Sequence, residues 1–144
     1  MAGPQFFTPP IVTPSRPKKR FTLVQANKSL ALVARIVADI VSAHQAATTL
    51  QGRLETLKSS KEQNKTEKEL ELKLDRLQTL VDELSDVGCE LKDYQTGLVD
   101  FVGRHQGRDV YLCWKLGESK IAFWHELQTG FAGRKPVSEL LEGE

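Results

Sequence analysis

The sequence predicts an α+β fold, in which a long antiparallel helical hairpin resembling a coiled coil is followed by a small antiparallel β-meander. Apolar residues recur at spacings of three and four through two long segments, a serine pair separates these segments, and the apolar period becomes alternating after Gly88. These two periods are typical of helices and of half-buried strands. A chain of 144 residues, 40% of them hydrophobic, is long enough for one domain with its own core.

Residues 1–20 are predicted to form a disordered, proline-rich basic tail. The segment contains five prolines and ends in the basic run 16–20, a composition that resists both helix and strand. Its basic end offers charge attraction to phosphate or to an acidic partner, although short charge runs beside a domain are commonly solvated. Because the formal net charge is only +1, nucleic-acid binding is the least favoured function.

The first helix is predicted over residues 23–58. Thr22, followed three residues later by Gln25, matches a capping box at a helix start. Further apolar residues flank the seam and widen the apolar arc, so either the β module or a second copy of the chain is expected to cover it. The flanking residues are Leu30, Leu32, Val37 and Val41, and the seam consists of Val33, Ile36, Ile40, Ala43, Ala47, Leu50, Leu54 and Leu57.

A second helix is predicted after the break at Ser59 and Ser60, either of which can cap it. Gly88 is expected to end this helix in the left-handed conformation. Because the connection is so short, the two helices must be antiparallel neighbours. The apolar seam of this helix consists of Leu70, Leu74, Leu77, Val81 and Leu84.

A single domain is expected over residues 21–136, with the hairpin over 21–88, the β module over 89–136 and an acidic C-terminal tail over 137–144. Strands are predicted over 98–102, 110–116 and 121–127, with a polar loop over 103–108 and a turn over 117–120. This turn would pair Trp114 with Phe123 and Leu112 with His125. His125 would then lie on the apolar face, opposite Cys113 and Trp124.

The chain also carries short motifs that are specific as a set. They are Gly88-Cys-Glu-Leu-Lys-Asp93, Gly97-Leu-Val-Asp-Phe101, Leu112-Cys-Trp114, Gly117-Glu118, Trp124-His125 and Gly130-Phe-Ala-Gly-Arg134, with Phe21-Thr-Leu23 and Ala26-Asn27. From Phe21 to about Pro136 the chain resembles an uncharacterised bacterial family, the domain of unknown function 2203. The resemblance implies the architecture above and a bacterial cytoplasmic setting. It implies no activity, cofactor or catalytic residue.

Five residues of the β module are candidate ligands of a divalent metal ion, because carboxylates and an imidazole bind hard or borderline cations. They are Glu90, Asp93, Asp100, Glu118 and His125. The alternative is structural: His125 is then a core imidazole hydrogen-bonded to Asp100 or to a backbone carbonyl, and Glu118 is an ordinary turn residue.

A second candidate site is the glycine loop 130–136, where Arg134 and Lys135 could bind an anion such as a phosphate or carboxylate. The alternative is that Arg134 ties this loop to Glu90 or Asp93. A cysteine nucleophile with His125 as base is disfavoured, because the expected register places Cys113 on the opposite face.

Three classes of function remain open, and whether the protein is an enzyme is uncertain. The favoured one is a non-enzymatic structural or interaction protein that self-associates through its first helix as a dimer or higher oligomer. The first alternative is a small metal-binding protein or metal-dependent enzyme, and the second is a weak nucleic-acid or anion binder. Two unpaired cysteines, no signal-peptide pattern and no apolar run of membrane-spanning length favour a cytoplasmic protein without membrane contact.

Overall fold

The computed structural model describes residues 19–140, and within this range it confirms a helical hairpin followed by an antiparallel sheet. Helix α1 spans Leu23–Thr56 and helix α2 spans Ser60–Val87. The described strands are adjacent in the sheet in the order in which they occur in the chain. They are β1 Glu90–Asp93, β2 Leu98–His105, β3 Arg108–Lys115, β4 Phe123–His125 and β5 Lys135–Pro136. Most of the predicted tails, residues 1–18 and 141–144, lie outside the described residues.

The predicted start of α1 and both predicted ends of α2 are confirmed by their hydrogen bonds. Thr22 Oγ1 accepts from the backbone N–H of Gln25, and Gln25 Oε1 accepts from the backbone N–H of Thr22, both at 3.0 Å. Helix α1 ends at Thr56, two residues before the predicted end. Ser59 caps α2, and Gly88 ends α2 in the left-handed conformation with φ of 112°. Local sequence therefore sets both ends of the hairpin.

The sheet covers most of the surplus apolar surface of α1. Leu30 and Val37 are buried, whereas Leu32 remains 50% exposed. The contact is close, because a Cβ atom on Gly97, in the β1–β2 turn, would lie 2.8 Å from Val37 Cγ1. Helix α1 therefore packs against both α2 and the inner face of the sheet. The inner face contributes Val99, Phe101, Leu112, Trp114 and Trp124 to the core.

The two halves of the hairpin differ in what they pack against. The half nearer the sheet shares its core with the strands. The far half has a separate small cluster, in which Ala47 and Leu50 of α1 pack against Leu70 of α2. The tip of the hairpin is therefore held by contacts between the helices themselves.

Helix α1 is long and apolar enough to cross a membrane by length and composition, with a mean hydropathy of 1.4 over its most apolar eighteen-residue window. A core helix passes the same test, and 39% of that window is buried inside the protein. Its buried side packs against α2 and the strands, so the packing accounts for much of this apolar character.

Two strands are longer than predicted, and two others were not predicted. The polar loop expected over 103–108 is wrong: β2 and β3 continue through it to a two-residue turn at Gln106 and Gly107. Both turn residues have positive φ, 53° and 77°, as required by the tight hairpin turn that matches strand twist. The short edge strands β1 and β5 were missed because neither has an alternating apolar pattern.

The predicted pairing of the third and fourth strands is wrong by one residue. His125 pairs with Tyr111, Trp124 with Leu112 and Phe123 with Cys113. The connection is not a simple four-residue turn, because the backbone N–H of Ile121 donates to Asn27 Oδ1 of α1 at 2.8 Å. Ile121 is thereby held against the helix, and β4 begins only at Phe123.

A one-residue shift places every side chain of β4 on the opposite face relative to β3. His125 and Cys113 therefore share the outer face of the sheet, and the expectation that they lie on opposite faces is wrong. Trp114 and Trp124 were also expected on opposite faces, but both are buried in the core on the inner face.

The start of the described chain is fastened to the sheet. The backbone N–H of Phe21 donates to the carbonyl oxygen of Val102 at 2.7 Å. Arg20 makes two hydrogen bonds to the carboxylate of Asp109, at 2.9 and 3.1 Å. The last residue of the predicted basic tail thus contacts the domain.

Two leucines of α2 test the hairpin core. Leu77 is fully buried, whereas Leu72 on the same helix is 69% exposed. Leu77→Ala is expected to lower the free energy of unfolding by about 2–5 kcal/mol, because it leaves a cavity between the helices and the sheet. Leu72→Ala should change it by no more than about 0.5 kcal/mol. Chemical denaturation of both variants measures the difference, and equal effects would contradict this packing.

Candidate metal centre

The outer face of the sheet, away from the helices, carries a row of side chains contributed by successive strands. Glu90 of β1 pairs with Asp100 of β2, Asp100 pairs with Cys113 of β3, and Cys113 pairs with Phe123 of β4. Directly opposed residues in neighbouring strands point to the same face. His125, paired with Tyr111, lies on this same face in the adjacent row.

Asp100, Cys113 and His125 form a compact cluster in these rows. One ligand atom from each, a carboxylate oxygen, Sγ and an imidazole nitrogen, lie within 4.8 Å of one another. His125 Nε2 is 3.2 Å from both carboxylate oxygens of Asp100. His125 Nδ1 is 2.7 Å from the carbonyl oxygen of Glu126. Because a carbonyl oxygen only accepts, Nδ1 carries the proton there and Nε2 faces the cluster.

The cluster is almost completely removed from water, and the burial changes its proton affinities. Asp100, Cys113 and His125 are exposed by 3%, 0% and 2%. Burial raises the pKa of Asp100, against the opposing influence of His125 beside it. Burial, reinforced by the negative charge of Asp100, raises the pKa of the Cys113 thiol to about 12. At neutral pH the thiol is therefore protonated and donates a hydrogen bond to Asp100.

A second set of polar side chains lies beside this cluster on the outer face. The Tyr111 hydroxyl donates to Glu90, with its oxygen 3.2 and 3.4 Å from the two carboxylate oxygens. Lys92 Nζ donates to Glu90 at 3.0 Å and lies 4.9 Å from the centre of the Tyr111 ring. The Tyr111 ring is in turn 5.4 Å from that of His125. We call Glu90, Lys92 and Tyr111 the polar cover.

The charged groups of the polar cover shift the pKa values of their neighbours. Burial alone would lower the pKa of Lys92, but the hydrogen bond and charge of Glu90 outweigh it and raise the pKa. Burial raises the pKa of Tyr111, and the negative charge of Glu90 raises it further. The negative charge of Asp100 also favours the charged form of Lys92. The Lys92 ammonium is thus electrostatically linked to both carboxylates.

The three buried groups have the chemistry of a transition-metal site. A thiolate, an imidazole and a carboxylate are the usual ligands of zinc, with bond lengths of about 2.0–2.3 Å. A tetrahedral ion with such bonds holds its ligand atoms about 3.5 Å apart, so atoms within 4.8 Å need to move inward by only about 1 Å. The bond from His125 Nδ1 to a backbone carbonyl is the contact that usually orients a metal-bound imidazole.

Cys113 is not suited to act as a nucleophile. The expectation that it lies on the face opposite His125 was wrong, but its raised pKa disfavours the reactive form. Cys113 and His125 do share a face and a cluster. However, a buried thiol with a pKa of about 12 is not ionised at neutral pH, and the thiolate is the reactive form. The nearest carboxylate, Asp100, raises the thiol pKa further.

The predicted ligand set comes together only in part. Asp100 and His125 lie in the cluster, and Glu90 is the neighbour of Asp100 in the same row. Asp93 is the last residue of β1, and its carboxylate accepts from the Thr96 hydroxyl of the following turn at 2.6 Å. Glu118 is in the β3–β4 connection, where it binds Arg134 at 2.7 Å. The last two are therefore engaged elsewhere in the module.

Arg134 of the predicted anion site is fastened to the module by its own contacts. Its guanidinium pairs with Glu118, and not with Glu90 or Asp93 as expected. It also stacks on the rings of Phe123 and Phe131, at 4.2 and 4.5 Å from their centres. These contacts are those of a structural arginine. Lys135 Nζ lies 5.0 Å from the centre of the Trp124 ring.

Cys113 was not predicted as a ligand because the expected strand register was incorrect. The observed register depends on the contact of Asn27 in α1 with Ile121, which delays the start of β4. That contact joins residues 94 positions apart and cannot be inferred from local periodicity.

Comparison with known proteins identifies a family but no characterised relative. No curated protein and no solved structure shows significant similarity to the chain. One family model matches residues 19–137, and its description reads "uncharacterized conserved protein (DUF2203)". This match spans the helical hairpin, the outer-face cluster and all five described strands, and the chain is therefore a member of the DUF2203 family.

Proposed function

We propose that this protein binds a divalent transition-metal ion through Asp100, Cys113 and His125. The observation that carries the proposal is the convergence of three different ligand types, from three strands, within 4.8 Å. Each is buried, and a buried polar group needs a partner that compensates its loss of water. A bound cation would supply this compensation for all three groups at once.

The ligand types favour zinc, or a similar ion such as cobalt(II) or iron(II), over magnesium and calcium. Sulfur and imidazole ligands select borderline ions, whereas magnesium and calcium prefer sites built from oxygen atoms. The charges also favour a divalent ion. One thiolate and one carboxylate together carry two negative charges, and a divalent cation neutralises them.

A bacterial cytoplasmic setting accompanies this proposal. A reducing compartment keeps a cysteine such as Cys113 available as a thiol. The buried side of α1 packs against α2 and the sheet, as expected for the core helix of a protein that has no membrane contact.

Self-association through α1 is a second candidate function, because part of its outer surface remains apolar. Val24 and Leu32 are 60% and 50% exposed, and they lie two turns apart on the same helix. The apolar surface left for a partner is smaller than the sequence suggested, because the sheet already covers Leu30 and Val37. A second copy of the chain is the proposed partner of the remaining surface.

The two buried cysteines provide a matched test of metal binding. We expect chelator-treated protein to bind about one equivalent of zinc and to gain thermal stability. Cys113→Ser should weaken binding at least about tenfold, because the site loses its thiolate. Cys89→Ser changes a buried cysteine outside the cluster and should leave the affinity unchanged.

Competition with a chromophoric chelator measures these affinities, and elemental analysis measures the stoichiometry. If the wild-type protein takes up no stoichiometric zinc, cobalt or iron, metal binding is excluded as the function of this cluster. Equal losses in both serine variants would indicate a general effect of disturbing the core.

The pH dependence of binding follows from the thiol. Without metal, Cys113 is protonated at every pH below about 12, and binding as a thiolate releases that proton. The affinity should therefore rise with pH, by about tenfold per unit for this group alone. Competition titrations between about pH 6.5 and 8.5 test this slope. An affinity independent of pH would contradict a thiolate ligand.

Self-association is tested by paired substitutions of exposed leucines. Leu32→Lys places a charge on the outer surface of α1 and should convert a dimer to a monomer. Leu72→Lys, on the exposed surface of α2, should leave the dimer intact. Sedimentation analysis at micromolar concentration gives the mass. A stable wild-type monomer would rule out this second function.

A further inference from the structure

We propose that Glu90 is the fourth ligand of the metal ion, and that metal binding moves its carboxylate from the polar cover into the cluster. The inference rests on the proposed function, since it requires that Asp100, Cys113 and His125 bind the ion. It adds a ligand and a conformational change to the site. The site would then be closed, with four protein ligands and no position left for a substrate.

The position of Glu90 in the sheet places its carboxylate within reach of an ion bound by Asp100. Glu90 is the direct cross-strand partner of Asp100, and such partners have Cβ atoms about 4.5–5.5 Å apart on one face. A carboxylate on a glutamate stem can therefore reach an ion held by its neighbour through a change of rotamer. Asp93 and Glu118, the other predicted acidic ligands, are held by contacts with Thr96 and Arg134.

The present partners of Glu90 are groups from which it can be released. Its carboxylate accepts from the Tyr111 hydroxyl and from Lys92, and its side chain is 18% exposed to solvent. The Lys92 side chain is 36% exposed, so water can solvate its ammonium when Glu90 leaves. The Tyr111 hydroxyl is the group that loses a protein acceptor, and it therefore competes with the metal for Glu90.

The charge of Lys92 explains how a buried site can hold Glu90 as a fourth ligand. A site of Asp100, Cys113, Glu90 and a divalent ion has one net negative charge, and burying that charge alone would be costly. Lys92 is electrostatically coupled to Asp100 as well as to Glu90. It therefore supplies the compensating positive charge both before and after Glu90 moves. The complete assembly of metal, ligands and Lys92 is neutral.

Cobalt(II) chloride, added to the full-length metal-free chain, tests the inference. Four-coordinate cobalt absorbs visible light far more strongly than five- or six-coordinate cobalt, and a thiolate ligand adds a charge-transfer band. The wild type is expected to show both features. In Glu90→Gln, water is expected to take the fourth position, so the variant should keep the thiolate band, show visible bands of altered position and shape, and bind cobalt at least about tenfold more weakly.

Three further variants separate ligation from a general structural role. Glu118→Gln, which removes a carboxylate of the same module paired with Arg134, should retain the wild-type spectrum and affinity. Glu90→His replaces one ligand by another and should bind cobalt more tightly than Glu90→Gln, with a thiolate band like that of the wild type. Tyr111→Phe removes the competitor for Glu90 and should raise the cobalt affinity.

The outcomes distinguish this inference from the function on which it rests. Unchanged visible bands and wild-type affinity in Glu90→Gln would overturn Glu90 as a ligand and leave the three-residue metal site intact. An unchanged or lower affinity in Tyr111→Phe would contradict the proposed exchange. A wild-type protein that binds no cobalt, zinc or iron would overturn both proposals.

Discussion

The register between β3 and β4 is the constraint on which both the core and the candidate site depend. In the observed register, Leu112 and Trp124 point together to the helices, and Cys113 and His125 belong to the outer face. A shift of one residue would exchange these faces, placing the His125 imidazole against α1 and removing Trp124 from the core. The hydrogen bond from Ile121 to Asn27 opposes such a shift, because it fixes the chain just before β4. A contact with the first helix thus determines which groups meet on the far side of the sheet.

The helical hairpin was predictable because its determinants are local. Thr22 and Gln25 form the expected capping box, and Gly88 has the expected left-handed conformation. The seam residues from Val33 to Leu50 are buried at the predicted spacing. The sheet was predictable as a meander but not in detail. Positive φ at Gln106 is uncommon outside glycine, so the tight β2–β3 turn had no strong signal, and two short edge strands had too few residues to show a period.

The residue types of the candidate site could be predicted from the sequence, but their convergence could not. Asp100 and His125 were recognised by residue type, since an acid and an imidazole near strand ends are possible ligands. Whether they meet depends on tertiary pairing, and the same pairing brings Cys113 to them. Asp93 and Glu118 were equally plausible by type, but turn contacts with Thr96 and Arg134 hold them. The surplus apolar surface of α1 was also recognised correctly. Because the sheet covers most of it, self-association now ranks behind metal binding.

The contacts of the cluster define what a cation would replace. Without metal, Asp100 accepts a hydrogen bond from the thiol of Cys113, and its carboxylate oxygens lie 3.2 Å from His125 Nε2. A divalent ion bound by the three groups would replace the thiol proton, and the thiolate and the Asp100 carboxylate would neutralise its charge. The hydrogen bond to Asp100 does not require sulfur, because a serine hydroxyl at position 113 could also donate it. Among the three groups, the thiolate is the ligand that most strongly favours a transition metal over other cations. A cysteine between a buried aspartate and a buried histidine is therefore better explained by a metal than by the hydrogen bonds alone.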